Sequence, residues 1–462
     1  MLRKSAIPRK LVIGINTLIT KDKIIFSESF GVSRRLATVV KTPIRTFTRS
    51  LLLLLLVGAL IGFSENSQSD DSLSSPPVPV VLTNVTVIDG TGSDPISGAT
   101  IVIEDGKITS ITTGEIPAIP GNANMMDLTG HYVIPGLIDG HVHLTDSEDI
   151  VVPKVTLSDY FVQGITSVRD MAGNGTALSS LKTWASPLDK RAPQIYFSAL
   201  VAGPNFLAND PRVLPAAGNS IAGQVAWMPM LDSNTDIPTL VSEAKAFGVT
   251  ALKLYADISP ELVQAVTAEA HEQGLQVWSH AAVVSATPLD VVNAGVDAIS
   301  HANMLMAAEY VTLPSYLDLM VDVLIPAQAN SEAMRTFFEI MVSNDIVLDA
   351  TLNIAPPSNN IGSSFTQRAH ELGVKVSVGT DGPITVLDEM KALMQRAEFT
   401  ANEAIVAATA NNALALGIED THGTISVGKV ADLVVLSADP IANIDNLSGI
   451  VYVVKEGYLH SM

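Results

Sequence analysis

The stretch Leu137-Ile138-Asp139-Gly140-His141-Val142-His143 constrains the fold more than any other part of the chain. Leu137 to Val142 reads as a buried strand, and two histidines one residue apart mark its end. Residues i and i+2 of a strand point to the same face. Both imidazoles therefore converge at the C-terminal end of the strand, where a barrel of parallel strands keeps its chemistry. A His-x-His pair alone also occurs on ordinary strands, so its meaning depends on whether later strands end in matching ligands.

The chain from Val133 to about Gly417 alternates strand and helix patterns. After the His-x-His strand come Gly164 to Asp170 and Gln194 to Ser198, then a helix over Pro238–Phe247 with Gly248 as its stop. The strand Thr250–Tyr255 follows, and Ser259-Pro260-Glu261 opens a helix that runs to Gly274. Further strands are expected at Leu275–Ser279, Asp297–Ser300, Ile346–Asp349 and Val374–Gly379. Eight such units closing on themselves make an α/β fold of the (β/α)8 TIM barrel type, about 250 residues at its usual size. One connection is long: between His301 and Ile346 lie apolar stretches around Tyr316–Ile325 and a helix near Glu332–Val342. Connections of this length serve as lids and pocket walls, or lie as decoration outside the barrel.

Both ends of the chain have a different texture. Val80 to Ile111 and Asp432 to Val454 read as short β segments, with Asp105-Gly106 as a hairpin signal. We expect one small β-sandwich built from 80–132 plus 418–462, flanking a barrel over 133–417. Residues 1–63 form a basic leader ending in the apolar run Leu51–Phe63, and 64–79 a Ser/Pro-rich linker. The run is short of the ~20 residues that span a bilayer and resembles the apolar part of a secretory signal. Export to the periplasm or medium is the expectation, with an uncleaved anchor as the alternative.

Charge follows the same division. The first fifty residues hold eleven Lys and Arg against Asp22 and Glu28, although the whole chain carries a net charge of −20. So acidic a body argues against nucleic acid as a partner. No stable membrane partner is expected beyond the export segment, and a homo-oligomer stays open. The absence of cysteine excludes a disulfide scaffold, thiolate metal ligands and a Cys nucleophile.

Five strand ends carry candidate metal ligands: His141 and His143 on the first, Lys253 on the fourth, His280 on the fifth, His301 on the sixth and Asp381 on the eighth. Neutral imidazoles with a carboxylate suit Zn2+ and similar divalent ions. Lys253 lies inside the apolar run Val249–Leu254. A lone ammonium buried there costs several kcal/mol, or sheds its proton. The uncharged amine can add CO2, and the carbamate has two oxygens with which to bridge two ions. Tyr255 shares the strand face of Lys253 and either donates a hydrogen bond to substrate or packs. Arg169 either binds a substrate carboxylate or pairs with Asp170 or another neighbour.

With these residues in place the sequence resembles the amidohydrolase superfamily, on the branch of the imidazolonepropionase-like enzymes and the secreted Xaa-Pro and Xaa-Arg/Lys dipeptidases. The motifs that carry the likeness are Val133 to His143, Gly164 to Asp170, Lys253-Leu254-Tyr255, Ser279-His280-Ala281, Ser300-His301-Ala302, Gly379-Thr380-Asp381 and Gly423 to Leu436. The resemblance implies a β-sandwich flanking the barrel and a metal-dependent hydrolase. It further implies that His141, His143 and Asp381 hold one ion, that His280 and His301 hold a second, and that a carboxylated Lys253 bridges the pair.

In the expected mechanism a metal-bridging hydroxide attacks an amide carbonyl of a small peptide or N-acyl amino acid, with Asp381 moving the proton. Hydrolysis of an ester, lactone or cyclic amide would use the same site, and a non-catalytic ligand-binding barrel is the reading from another class. One departure stands out. Many relatives carry a Gly/His-rich turn after the third strand, where this chain reads Ala199-Leu200-Val201-Ala202-Gly203-Pro204-Asn205. The substrate pocket is therefore expected to have diverged.

Overall fold

The computed structural model describes residues 78–114, 119, 121–308, 328–354 and 361–462. The leader with Leu51–Phe63, nearly all of the 64–79 linker and the apolar stretch Tyr316–Ile325 lie outside them.

Eight parallel strands follow one another around a sheet in chain order. They are β1 (Leu137–Val142), β2 (Ile165–Asp170), β3 (Gln194–Val201), β4 (Ala251–Leu254), β5 (Gln276–His280), β6 (Ala298–Ser300), β7 (Val347–Asp349) and β8 (Val376–Ser377). The sheet closes on itself between the first and last strands. Gly140 N donates to Val378 O at 2.9 Å and Asp381 N to His141 O at 2.8 Å. The buried Asn412 amide donates to both Ile138 O and Val378 O, at 2.7 and 2.8 Å. Gly140 allows this approach, because a Cβ there would lie 2.1 Å from Asn412 Oδ1.

Register decides what the interior contains. Trp278, Ala298 and Val347 pair across β5, β6 and β7, and two residues on, His280, Ser300 and Asp349 do the same. A period of two puts both rows on one face. The lower row is apolar and packs with Ile138 and Ala251 into the barrel floor. The upper row is polar and forms the layer just above it. Outside, helices cover the sheet as their caps predict: Asp236 caps Ile237–Phe247, which Gly248 ends at φ +99°, and Ser259 caps Pro260–Glu272.

The two ends of the chain meet in one largely antiparallel sheet. Tyr132–Pro135 pairs with Leu433–Leu436, and Val80–Val87 joins the N-terminal strands to it. Val80, Leu82, Ile101, Val133, Leu433 and Val454 fill the space beneath. The antiparallel pairing continues through Pro135, so the change of architecture falls at Gly136 rather than at residue 133. Gly136 N donates to Asp432 O, and a Cβ there would lie 2.2 Å from Thr166 Oγ1. The chain thus turns from sandwich into barrel within one residue and delivers β1 directly.

Candidate metal centre

Four imidazoles line the C-terminal mouth of the barrel in succession. His143 lies 5.4 Å from His141, His141 lies 5.0 Å from His301, and His301 lies 5.0 Å from His280, ring centre to ring centre. Each has its Nδ1 engaged from behind. His141 meets Asp349 Oδ2 at 2.6 Å, His143 meets Ala172 O at 3.0 Å, His280 meets Tyr255 O at 2.8 Å, and His301 meets Thr351 Oγ1 at 2.9 Å. A carbonyl or carboxylate can only accept, so in His141, His143 and His280 the proton sits on Nδ1 and the Nε2 lone pair faces forward. Burial, followed by neighbouring positive charge, holds His141, His280 and His301 well below the usual histidine range. Burial also lowers His143.

Asp381 completes the group from the loop after β8, at φ +44°. Its Oδ1 lies 3.6 Å from His141 Nε2 and 3.4 Å from His143 Nε2. These are not hydrogen-bond distances. They match the edges of a tetrahedron of about 3.4 Å that surrounds an ion with ligands at roughly 2.1 Å. His141, His143 and Asp381 therefore form a group able to hold a metal ion. Burial pushes the Asp381 carboxyl up to about 7, with the Asp349 charge acting in the same direction.

Lys253 lies beneath the imidazoles and is fully buried. Its Nζ donates to Ser300 Oγ at 2.9 Å, and Ser300 Oγ donates to Asp349 Oδ2 at 3.0 Å. Burial lowers the amine to about 7, partly offset by Asp349. The donor set thus suits divalent ions: forward-facing Nε2 lone pairs, a carboxylate, and an amine that is readily neutral.

Arg169 does not reach the cavity. It is buried against the Trp278 ring, donates through Nε to Gly140 O, and through Nη2 to Asp349 Oδ2 at 2.9 Å. Its partner is Asp349 and not Asp170, whose carboxylate instead accepts from Leu144 N and Ala172 N. A substrate-binding role for Arg169 is thereby set aside. The Tyr255 ring lies 4.6 Å from His280, and its hydroxyl donates to Met171 O at 2.7 Å. Donation from Tyr255 to a substrate would require that bond to break.

Asp349 is the functional residue the sequence reading passed over. The signal was available, since it is a carboxylate ending a barrel strand. The cavity in front of the imidazoles measures about 490 Å3, and its wall includes Phe206, Asp210, Arg212 and Val213 from the segment after β3.

Asp349→Asn should weaken divalent-ion binding about 10–100-fold, because an amide cannot accept from His141, Arg169 and Ser300 together. It should also destabilise the fold by about 3–5 kcal/mol, since Arg169 loses its counter-charge in the interior. Metal titration and denaturant unfolding measure the two effects separately.

Comparison with known proteins agrees with this architecture. The sequence profile of the Amidohydrolase family matches residues 132–459. An imidazolonepropionase from Pseudomonas fluorescens (strain Pf0-1) is 23% identical over 382 residues, covering 73% of this chain and 86% of that protein. An enamidase from Eubacterium barkeri is 22% identical over 368 residues, covering 76% of this chain and 84% of that protein. Among solved structures, a Xaa-Pro dipeptidase with methionine bound in its active site superposes with a TM-score of 0.64 at 22% identity, covering 83% of this chain and 100% of that one. Ochratoxinase from A. niger gives 0.64 at 21% identity, covering 83% and 96%. With the family profile spanning most of the chain, the two-sheet architecture and the histidine-lined barrel mouth, this protein belongs to the amidohydrolase family.

Proposed function

We propose that the chain is a binuclear metal-dependent hydrolase that cleaves an amide bond of a small peptide or N-acyl amino acid. The observation that carries this reading is the convergence of His141 Nε2, His143 Nε2 and Asp381 Oδ1 at ligand spacing, with both imidazole tautomers fixed from behind. His141, His143 and Asp381 would hold one ion and His280 with His301 a second, and zinc suits this set. Bound there, the ions would supply a water of lowered pKa and polarise the scissile carbonyl.

The chain's own residues supply the rest. Asp381 takes the proton of the attacking water on a carboxylate oxygen and returns it to the leaving amine. Its carboxylate has two oxygens, so one can face the ion while the other carries the proton. Asp349 holds His141 in the tautomer that keeps Nε2 unprotonated. The Lys253 amine, which burial pushes down to about 7 and so leaves partly uncharged near neutral pH, adds CO2 and loses a proton to give a carbamate anion. Tyr255 and the apolar wall orient the substrate.

Relatives named imidazolonepropionase and enamidase favour a second reading, in which the amide is cyclic. A hydrolysis screen of the metal-loaded protein against dipeptides, N-acyl amino acids, lactones and cyclic amides separates the two. Asp381→Asn should lower kcat on whichever substrate is found by at least ~100-fold. Near-normal turnover with metal retained would reject its role in proton transfer.

Lys253→Ala should lose most activity and bind less metal than the two equivalents expected of the wild type. Acetate or propionate, filling the vacated volume, should restore part of both. Full activity and full metal content in the variant would remove the bridge. Unchanged metal content without rescue would assign Lys253 to charge or packing.

We also place the reaction outside the cytoplasm, on the basic leader and the apolar run Leu51–Phe63. Terminal sequencing of the native protein should find a start between Ser64 and Val80. An intact leader in the cytoplasmic fraction would refute export.

A further inference from the structure

The segment between β3 and Ile237–Phe247 departs from the expected turn, and it forms one wall of the cavity. Two short helices, Pro204–Asn209 and Val213–Ala217, place Phe206, Arg212 and Val213 along it. Loops from three other strand ends fasten this wall. Asp257, after β4, accepts from Asn205 N at 2.6 Å and from Asn205 Nδ2 at 3.2 Å. Gly203 lies so close to it that a Cβ would come within 1.8 Å of Asp257 O. Asn174, after β2, donates to Ala216 O at 2.9 Å, and Glu148, after β1, accepts from Asn219 Nδ2 at 2.9 Å. A wall held at both ends and in the middle presents its side chains in a fixed place, which lowers the entropic cost of binding.

Arg212 is oriented within that wall. Asp210 accepts from its Nε at 2.9 Å and its Nη2 at 2.7 Å, which fixes the plane of the guanidinium. The group stays 55% exposed and borders the cavity. Beside it the wall is apolar. The Phe206 ring lies 5.6 Å from Tyr255, and the Tyr255 ring 4.6 Å from His280, so an aromatic surface runs from the mouth to the imidazoles.

The geometry points to a carboxylate subsite: Arg212, oriented by Asp210, takes a free carboxylate of the substrate while Phe206 and Val213 receive an apolar group carried on the same molecule. This deepens the hydrolase reading and rests on it. Among the substrates of that reading, it selects amino acids acylated by an apolar group and left free at the carboxyl end. Arg is suited to the role because it keeps its charge and carries five N–H donors, of which Asp210 engages two.

The test is a binding measurement, so that it does not depend on turnover. N-benzenesulfonyl-L-leucine, whose sulfonamide resists hydrolysis, is titrated calorimetrically into the metal-loaded protein beside its carboxamide, which differs only in lacking the carboxylate charge. The wild type should bind the acid about tenfold or more tighter than the amide, the advantage of a charge-assisted hydrogen bond. Arg212→Met should abolish that preference while leaving amide binding within about twofold, and Arg212→Lys should restore part of it. Equal binding of acid and amide by the wild type, no binding of either, or a preference that survives in Arg212→Met overturns the subsite. If the preference behaves as expected but N-benzoyl-L-leucine is not hydrolysed, the amidase reading fails and the subsite stands.

Discussion

One oxygen atom, Oδ2 of Asp349, accepts from the His141 imidazole, the Arg169 guanidinium and the Ser300 hydroxyl, and through Ser300 it reaches the amine of Lys253. Two basic side chains lie wholly inside the barrel, where desolvation of a lone charge costs several kcal/mol. Asp349 offsets that cost while it also fixes the His141 imidazole. The geometry depends on close backbone approach as well. A Cβ on Gly379 would lie 2.4 Å from Asp349 Oδ1 and 2.5 Å from His141 Cβ. The forward-facing Nε2 of His141 is thus the visible end of a network rooted in the polar layer above the barrel floor.

That dependence explains which parts of the site the sequence displayed. His141, His143, Lys253, His280, His301 and Asp381 stood out because each is a chemically distinctive residue at the end of an apolar strand. Strand-end position follows from local pattern, and the order of strands around a parallel barrel follows chain order. What stayed hidden is pairing across the barrel. Arg169 and Asp349 are 180 residues apart in the chain, and nothing in the local pattern of either selects the other. The sequence leaves Arg169 to bind a substrate carboxylate or to pair with Asp170 or another neighbour, and only the fold selects Asp349.

The cavity wall was hidden for a different reason. Residues 203–231 carry no strong periodicity, and their two helices are only six and five residues long. They are held by side chains reaching in from other strand ends, a tertiary cause that local propensity does not express. The sandwich showed the opposite behaviour. Its alternating apolar residues and the Asp105-Gly106 turn announced strands directly, and the structure places the Lys107–Thr113 strand against Ile96–Glu104 as a hairpin requires. Its handover to the barrel lies at Gly136, because the pairing of Tyr132–Pro135 with Leu433–Leu436 extends the sheet past residue 133, and the strand Asn124–Asp127 carries no such alternation.

The closing seam of the barrel has a consequence for how the protein comes into being. Asp139 accepts from the Thr380 backbone N–H and hydroxyl, 241 residues further along the chain, and the next residue, Asp381, donates its N–H to His141 O. The three ligand-spaced groups therefore straddle the first and last strands. A nascent chain acquires His141 and His143 early, and for most of its synthesis it has nothing to set against them. The three-residue group exists only once the circle is joined, so any ion it held would be taken up by the finished polypeptide, and an abandoned or truncated product carries the histidines without their carboxylate partner.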